Sequence, residues 1–323
     1  MRRRLFLKLA LGAGASAGLA PAVLRAQSAW PDKSVRLIVP FGAGGGTDLV
    51  ARPWAEKLSQ AFGQQFVVEN RGGASGIIGT EAVVKSAPDG YTFLVSSNTT
   101  PINLPLLRKT PYDPQSLHPV VRLGDTVTGF VVHPSTGLKT FPEMLEYARK
   151  NPGKLAFGSS GPGTLPHLRM EMLVHRTGIK LLHVPYRGGA DALTDLLAGN
   201  IQMMNEPATN PHAKAGKITM LNINHTVRSP EFPEVPTLTE LGYPSSDVPL
   251  WFSIWAPKGV PQPILDMLHA KVTEISKTPD MVAKLQAAGA AAVTSTPAEL
   301  LAFREAESKA TAELIKAANI KLE

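Results

Sequence analysis

The chain has no cysteine among its 323 residues. That excludes disulfides, thiolate catalysis, cysteine zinc sites and a lipid anchor on an N-terminal cysteine, so the fold must rest on its core alone. Acidic residues are missing from the first 26 positions, where Arg2, Arg3, Arg4, Lys8 and Arg25 supply five units of the formal net charge of +7. The remainder is close to neutral. Aromatic residues are sparse, at 6%, and no stretch combines them with bases densely enough to follow a phosphate backbone, which argues against a nucleic-acid partner. Metal-ligand spacing is missing as well: no H-E-x-x-H occurs, and His167 and His175 have no acid pair nearby to complete a site. His118, His133, His175, His183, His212, His225 and His269 read as structural or surface groups.

What is present begins with an export pattern over residues 1–29. A basic start is followed by an apolar and small-residue stretch from Leu9 to Leu24 and a small-residue region at Ala26 to Ala29. Arg3-Arg4-Leu5-Phe6-Leu7-Lys8 resembles the twin-arginine consensus, with Arg2 where serine or threonine is usual. A general secretory signal with a rich basic region fits the same residues. After this segment no apolar run reaches membrane-spanning length, so a soluble periplasmic protein is expected.

A hydrophobic content of 43% supports a sizeable core, and the length suggests two domains. Val35 to Val39 reads as a buried strand, Gly42 to Gly46 as a glycine turn, and Thr47 or Asp48 as the N-cap of an amphipathic helix. Gln65 to Glu69 follows as a second strand, which makes a β-α-β unit and implies a parallel sheet. Ser96 to Thr100 reads as a polar loop after a third strand. The pattern restarts after His133-Pro134, with a Thr140/Glu143 capping box, a strand at Leu155 to Gly158, the loop Ser159 to Thr164 and another helix. Strands are expected at Ile201 to Met204 and Ile218 to Ile223. The late apolar run Leu250 to Ala256 returns the chain to the first sheet. The expected organisation is two α/β lobes with two crossovers, 30–133 plus 248–323 and 134–247.

Two glycine loops at helix starts point to anion binding, because a helix N-terminus offers unpaired N–H groups and partial positive charge. Gly44, Gly45 and Gly46, with Thr47, form the first; Ser159, Ser160, Gly161 and Thr164 form the second. A dinucleotide site is disfavoured because Thr47 stands where the third glycine belongs. A serine hydrolase is disfavoured because Pro162 breaks the G-x-S-x-G elbow. His167, one turn into the second helix, is a candidate to face the cleft. Arg187 is a candidate carboxylate partner, Tyr186 a candidate to close over a ligand, Asn98 a candidate donor, and Glu206 a candidate contact for a ligand cation or hydroxyl. No metal or organic cofactor is called for.

Taken in order, Pro40-Phe41, Gly44-Gly45, Thr47-Asp48, Val67 to Arg71, Pro88 to Thr92, Pro111 to Pro114, Asn151 to Lys154, Gly158 to Thr164, His183 to Tyr186 and Lys214 to Lys217 resemble the Bug-type solute-binding proteins of tripartite tricarboxylate transporters. The resemblance implies a type II periplasmic-binding-protein (Venus-flytrap) fold closing on a small organic carboxylate, with membrane permease subunits as partners and a monomeric, non-enzymatic receptor. It also implies Phe41, Gly44, Gly45, Ser159, Ser160, Gly161 and Thr164 as grips for the ligand, with Tyr186 nearby. A sensor that presents its ligand to a membrane kinase is the alternative. Two departures stand out: Ala43 replaces a common proline, and Met204-Asn205-Glu206-Pro207 replaces a phenylalanine-aspartate-asparagine stretch that helps set ligand choice.

Overall fold

The computed structural model describes residues 30–243 and 250–320. The export signal expected at 1–29 and the lobe boundary expected at 247/248 lie outside the described residues.

Four strands come first, β1 (Val35–Val39), β2 (Phe66–Asn70), β3 (Thr92–Ser97) and β4 (Leu117–Thr126). Five more follow, β5 (Val131–Val132), β6 (Ala156–Ser159), β7 (Leu182–Pro185), β8 (Met203–Met204) and β9 (Thr219–Met220). The last two are β10 (Leu250–Pro257) and β11 (Ala290–Ala291). The principal helices are α1 (Gly46–Phe62), α2 (Ile77–Val84), α3 (Leu104–Leu107), α4 (Phe141–Lys150), α5 (Leu165–Thr177), α6 (Gly189–Leu197), α7 (Asn210–Lys214), α8 (Gln262–Ile275), α9 (Pro279–Ala287) and α10 (Pro297–Ala317).

These strands form two sheets, one per lobe, ordered β11-β4-β10-β3-β1-β2 and β7-β6-β8-β5-β9. In the first, β1 runs parallel to both β2 and β3, as the β-α-β reading requires, and β10 enters antiparallel between β3 and β4. All of β10 is buried, because Leu250 to Ala256 carries apolar residues on both faces and only a covered central strand hides both. Trp251 and Trp255 pack with Ile38, Leu94 and Leu300 on one side. In the second sheet β6 runs parallel to β7 and β8, and β5 is antiparallel to β8 and β9. β11, at the edge, is antiparallel to β4 as well. In each sheet one reversed strand, β10 in the first and β5 in the second, enters by a passage from the other lobe, the two-crossover arrangement expected of this fold class. Val131–Val132, within the range assigned to the first lobe by sequence, pairs in the second sheet.

Other local expectations change in instructive ways. The strand at Ile218 to Ile223 shrinks to Thr219–Met220, since Asn222 and Asn224 turn their bonding toward the crossover: Phe130 N–H donates to Asn222 Oδ1 at 3.1 Å and Asn224 N–H to Thr128 O at 2.6 Å. Ser96 to Thr100 is no surface loop. β3 continues to Ser97 and a buried π-helical turn follows at Thr99–Asn103, leading straight into α3. The polar groups of that segment are buried because they find partners inside: Ser96 Oγ lies 2.9 Å from Thr100 Oγ1, and Tyr112 donates its hydroxyl to Thr100 O at 2.9 Å.

Candidate functional site

In open α/β sheets, ligands bind beyond the carboxyl ends of the parallel strands, where strand order switches. Here the ends of β1, β3, β6 and β8 meet across the space between the lobes. From β1 the chain turns through Phe41 to Gly45 into α1. The helix begins at Gly46, with Gly45 at the N-cap position and no side chain capping it, so neither Thr47 nor Asp48 is the cap. Asp48 sits inside the first turn, almost fully buried, and anchors the preceding loop. Its Oδ2 accepts from Gly44 N–H at 2.9 Å and from Arg52 Nε at 2.7 Å, and its Oδ1 accepts from Asn70 Nδ2 at 2.9 Å. Asn70 also donates to Phe41 O at 3.0 Å. Gly44 thus spends its N–H inside the loop, and the first backbone donors of α1, which have no partner within the helix, fall to the next residues.

The second lobe contributes two further helix starts without a side-chain cap, Thr164 before α5 and Gly188 before α6. The one at α6 faces α1. An added Cβ at Gly45 would lie 3.8 Å from Gly189 N, and one at Gly46 would strike Pro207 Cγ at 2.7 Å. A side chain at Gly46 would therefore press on Pro207 of the other lobe, whereas one at Gly45 would make only ordinary contact with the start of α6. The lobes lie close together and leave a cavity of about 30 Å³ between them, room for a few water molecules. A solute of several carbons therefore needs the lobes to separate before it can enter.

Of the residues singled out from sequence, Phe41, Gly45, Gly46, Thr47, Ser160 and Glu206 line this cavity. Gly44, Asn98, Ser159, Gly161, Thr164, His167, Tyr186 and Arg187 do not. Ser159 Oγ is 2.7 Å from His183 Nε2 and accepts Gly161 N–H at 3.2 Å, and Thr164 Oγ1 donates to Gly161 O at 2.7 Å. These bonds shape the loop, and the fully buried Ser159 of this Ser-His contact does not reach the cavity. His167 accepts Gly163 N–H at 3.2 Å on Nδ1 and stacks 4.3 Å from His183 inside the lobe. Burial, with His183 adding to it, pushes its pKa down to about 3. It is neutral near pH 7, and its 3.6 Å approach to Glu171 is no ion pair at that pH. Tyr186 donates its hydroxyl to Asp195 Oδ2 at 2.6 Å, and Arg187 is solvent-exposed.

Sequence reasoning passed over Ser97 and Thr99 at the end of β3, Pro166, Gly189 and Pro207, and the apolar wall of Leu250 and Phe252. The Gly188-Gly189 pair ahead of an amphipathic helix was the available signal. Behind the cavity runs a buried polar layer. Arg169 of α5, fully buried, donates through Nη1 to Thr128 Oγ1 at 2.6 Å in the crossover and to Asn205 Oδ1 at 3.0 Å. Glu307 of α10 accepts from Asn98 Nδ2 and Trp251 Nε1. Burial raises both Glu206 and Glu307 to about 7, against the opposing pull of their hydrogen bonds and of Arg169. Among the described residues no cluster of histidines and acids is placed to hold a metal, and no helix is long and apolar enough to cross a membrane.

Comparison with known proteins agrees with this fold. The family model described as tripartite tricarboxylate transporter family receptor matches residues 50–320. Protein BugT of Bordetella pertussis (strain Tohama I) is 36% identical over 313 residues, 95% of each chain. The solved structure of the periplasmic binding protein BugD superposes with a TM-score of 0.87 at 33% identity, covering 91% of this chain and 100% of that one. An adipate-bound structure from R. palustris gives 0.87 and 33%, covering 90% and 99%.

Proposed function

Because the chain belongs to the tripartite tricarboxylate transporter family of receptors, we propose that it captures a small organic carboxylate between its lobes outside the cytoplasm and delivers it to the membrane permease subunits of such a transporter. The observation that carries this reading is the face-to-face approach of two helix starts without side-chain caps, Gly45-Gly46 on one lobe and Gly188-Gly189 on the other. Like partial charges repel, and an anion placed between them satisfies donors on both sides. Its binding therefore favours the closed over the open arrangement. Phe41, Leu250 and Phe252 supply apolar surface for the carbon body, and Thr47, Ser97, Thr99 and Ser160 supply hydroxyls.

Ser159 and His183 meet away from the cavity, inside the second lobe, which supports binding without turnover. The similarity to proteins described as periplasmic, together with the basic-apolar-small pattern at 1–29, supports a periplasmic location. Calorimetric titration of dialysed protein with a panel of aliphatic and aromatic mono-, di- and tricarboxylates tests the reading. Saturable one-site binding, with a smaller radius of gyration in the bound form, is expected. Absence of binding across the panel rejects it. Loss of uptake of the same acid in a deletion strain tests delivery separately.

A further inference from the structure

Glu206 is the only charged side chain among the described residues that line the cavity. Its side chain bridges elements of the second lobe at the cleft. Oε1 accepts Ser160 N–H at 3.0 Å, at the loop that starts α5. Oε2 lies against the start of α6, where a Cβ on Gly189 would come within 3.2 Å of it. The start of α1 approaches that same turn from the other lobe. Three sets of backbone donors thus converge on one small space, and a carboxylate belonging to the chain already occupies the side formed by the second lobe. The charge of Arg169 of α5 acts on it; that guanidinium donates through Nη1 to Thr128 and Asn205. At pH 8, above the value of about 7 to which burial raises it, Glu206 is mainly ionised.

Resting on the carboxylate-receptor reading above, we infer that Glu206 selects the solute: the start of α1 takes a single carboxylate, while Glu206 accepts a hydrogen bond from a hydroxyl or amide N–H elsewhere on the solute and repels a second carboxylate. The solute class is a monocarboxylate that also carries a hydrogen-bond donor. An ionised carboxylate only accepts hydrogen bonds, so a dicarboxylate reaching Glu206 brings charge against charge in a site with little water to screen it. Discrimination then comes from the repulsive partner as much as from the attractive one.

The test is calorimetry at pH 8 with pairs matched in length, 4-hydroxybutyrate against succinate and 6-hydroxyhexanoate against adipate. The wild-type protein is expected to bind the hydroxy acid of at least one pair about tenfold or more tightly than its diacid, a margin well within what like charges set side by side cost. Glu206→Gln, checked by its thermal unfolding curve, is expected to erase or invert that ratio. If the variant does not fold, the wild-type ratio alone decides. A wild-type protein that binds each diacid as tightly as its hydroxy partner overturns this inference and leaves the receptor reading standing. Binding of none of the four, nor of any acid in the wider panel, overturns both.

Discussion

Helices on the two sides of this molecule begin in opposite ways. On the outer surfaces, α4, α9 and α10 start with Thr140, Thr278 and Thr296, whose hydroxyls accept N–H groups of the first turn at 3.3, 3.3 and 3.2 Å; α4 and α10 add a reciprocal glutamate. At the cleft, α1 and α6 start with glycine and α5 with a threonine turned back on its own loop, none with a side-chain cap. Helices α2 and α8 also lack a side-chain cap, so its absence alone has no functional meaning. What distinguishes α1 and α6 is that their starts face each other across a closing gap. A cap would satisfy the donors permanently, and leaving them open gives up a little stability in each lobe in exchange for a dependence on something else that is anionic.

The sharpest way to break this comparison is Gly46→Val. A side chain there meets Pro207, so the lobes cannot close, while α1 tolerates the residue. Affinity for the best acid of the panel is expected to fall about a hundredfold or more, near 3 kcal/mol, with the unfolding temperature nearly unchanged. Near-native affinity in the folded variant would sink the clamp.

Next in size is a pH effect at the cleft. The Glu206 pKa is raised to about 7 from 4.5, so between those values the folded state holds more protons than the unfolded one, and stability falls as pH rises. His167, lowered to about 3, acts in the opposite sense below its ordinary value, so the group is read by difference. Glu206→Gln should gain on the wild type by on the order of 2 kcal/mol between pH 4.5 and 7.5. Parallel thermal denaturation curves over that window would contradict it. The smallest effect belongs to the outer surface. Thr296→Ala should cost about 1 kcal/mol of stability and leave carboxylate affinity within about twofold, whereas a change in affinity would erase the contrast between the two sides.

Much of this is legible in the chain. A strand, a glycine turn and an amphipathic helix are local patterns, so their spacing is enough to put Gly45, Gly46 and Ser160 in the turns that lead into helices, and the apolar run at Leu250 declares a strand covered on both faces. The third helix start escapes for a physical reason. In Tyr186-Arg187-Gly188-Gly189 the charged side chain draws attention, yet the groups at the cavity are backbone, which every residue carries and no letter advertises. Asn98 misleads in the converse way, since polar residues are mostly exposed, and the burial of Arg169 carries no signal in the sequence at all. Their burial depends on the crossover, Asn205 and α10, which lie far away in the chain.

The insertion of β10 between β3 and β4 has a consequence for how the molecule is made. The strands of the second sheet, residues 131–220, lie in one continuous stretch, whereas the first sheet lacks its central strand until Leu250–Pro257 has been synthesised. Chains usually complete their N-terminal part first. Here vectorial synthesis reverses that order. A nascent chain stalled at residue 243 should resist protease in its later half and be cut throughout its earlier one, and protection of both halves would show that β3 and β4 find a temporary partner.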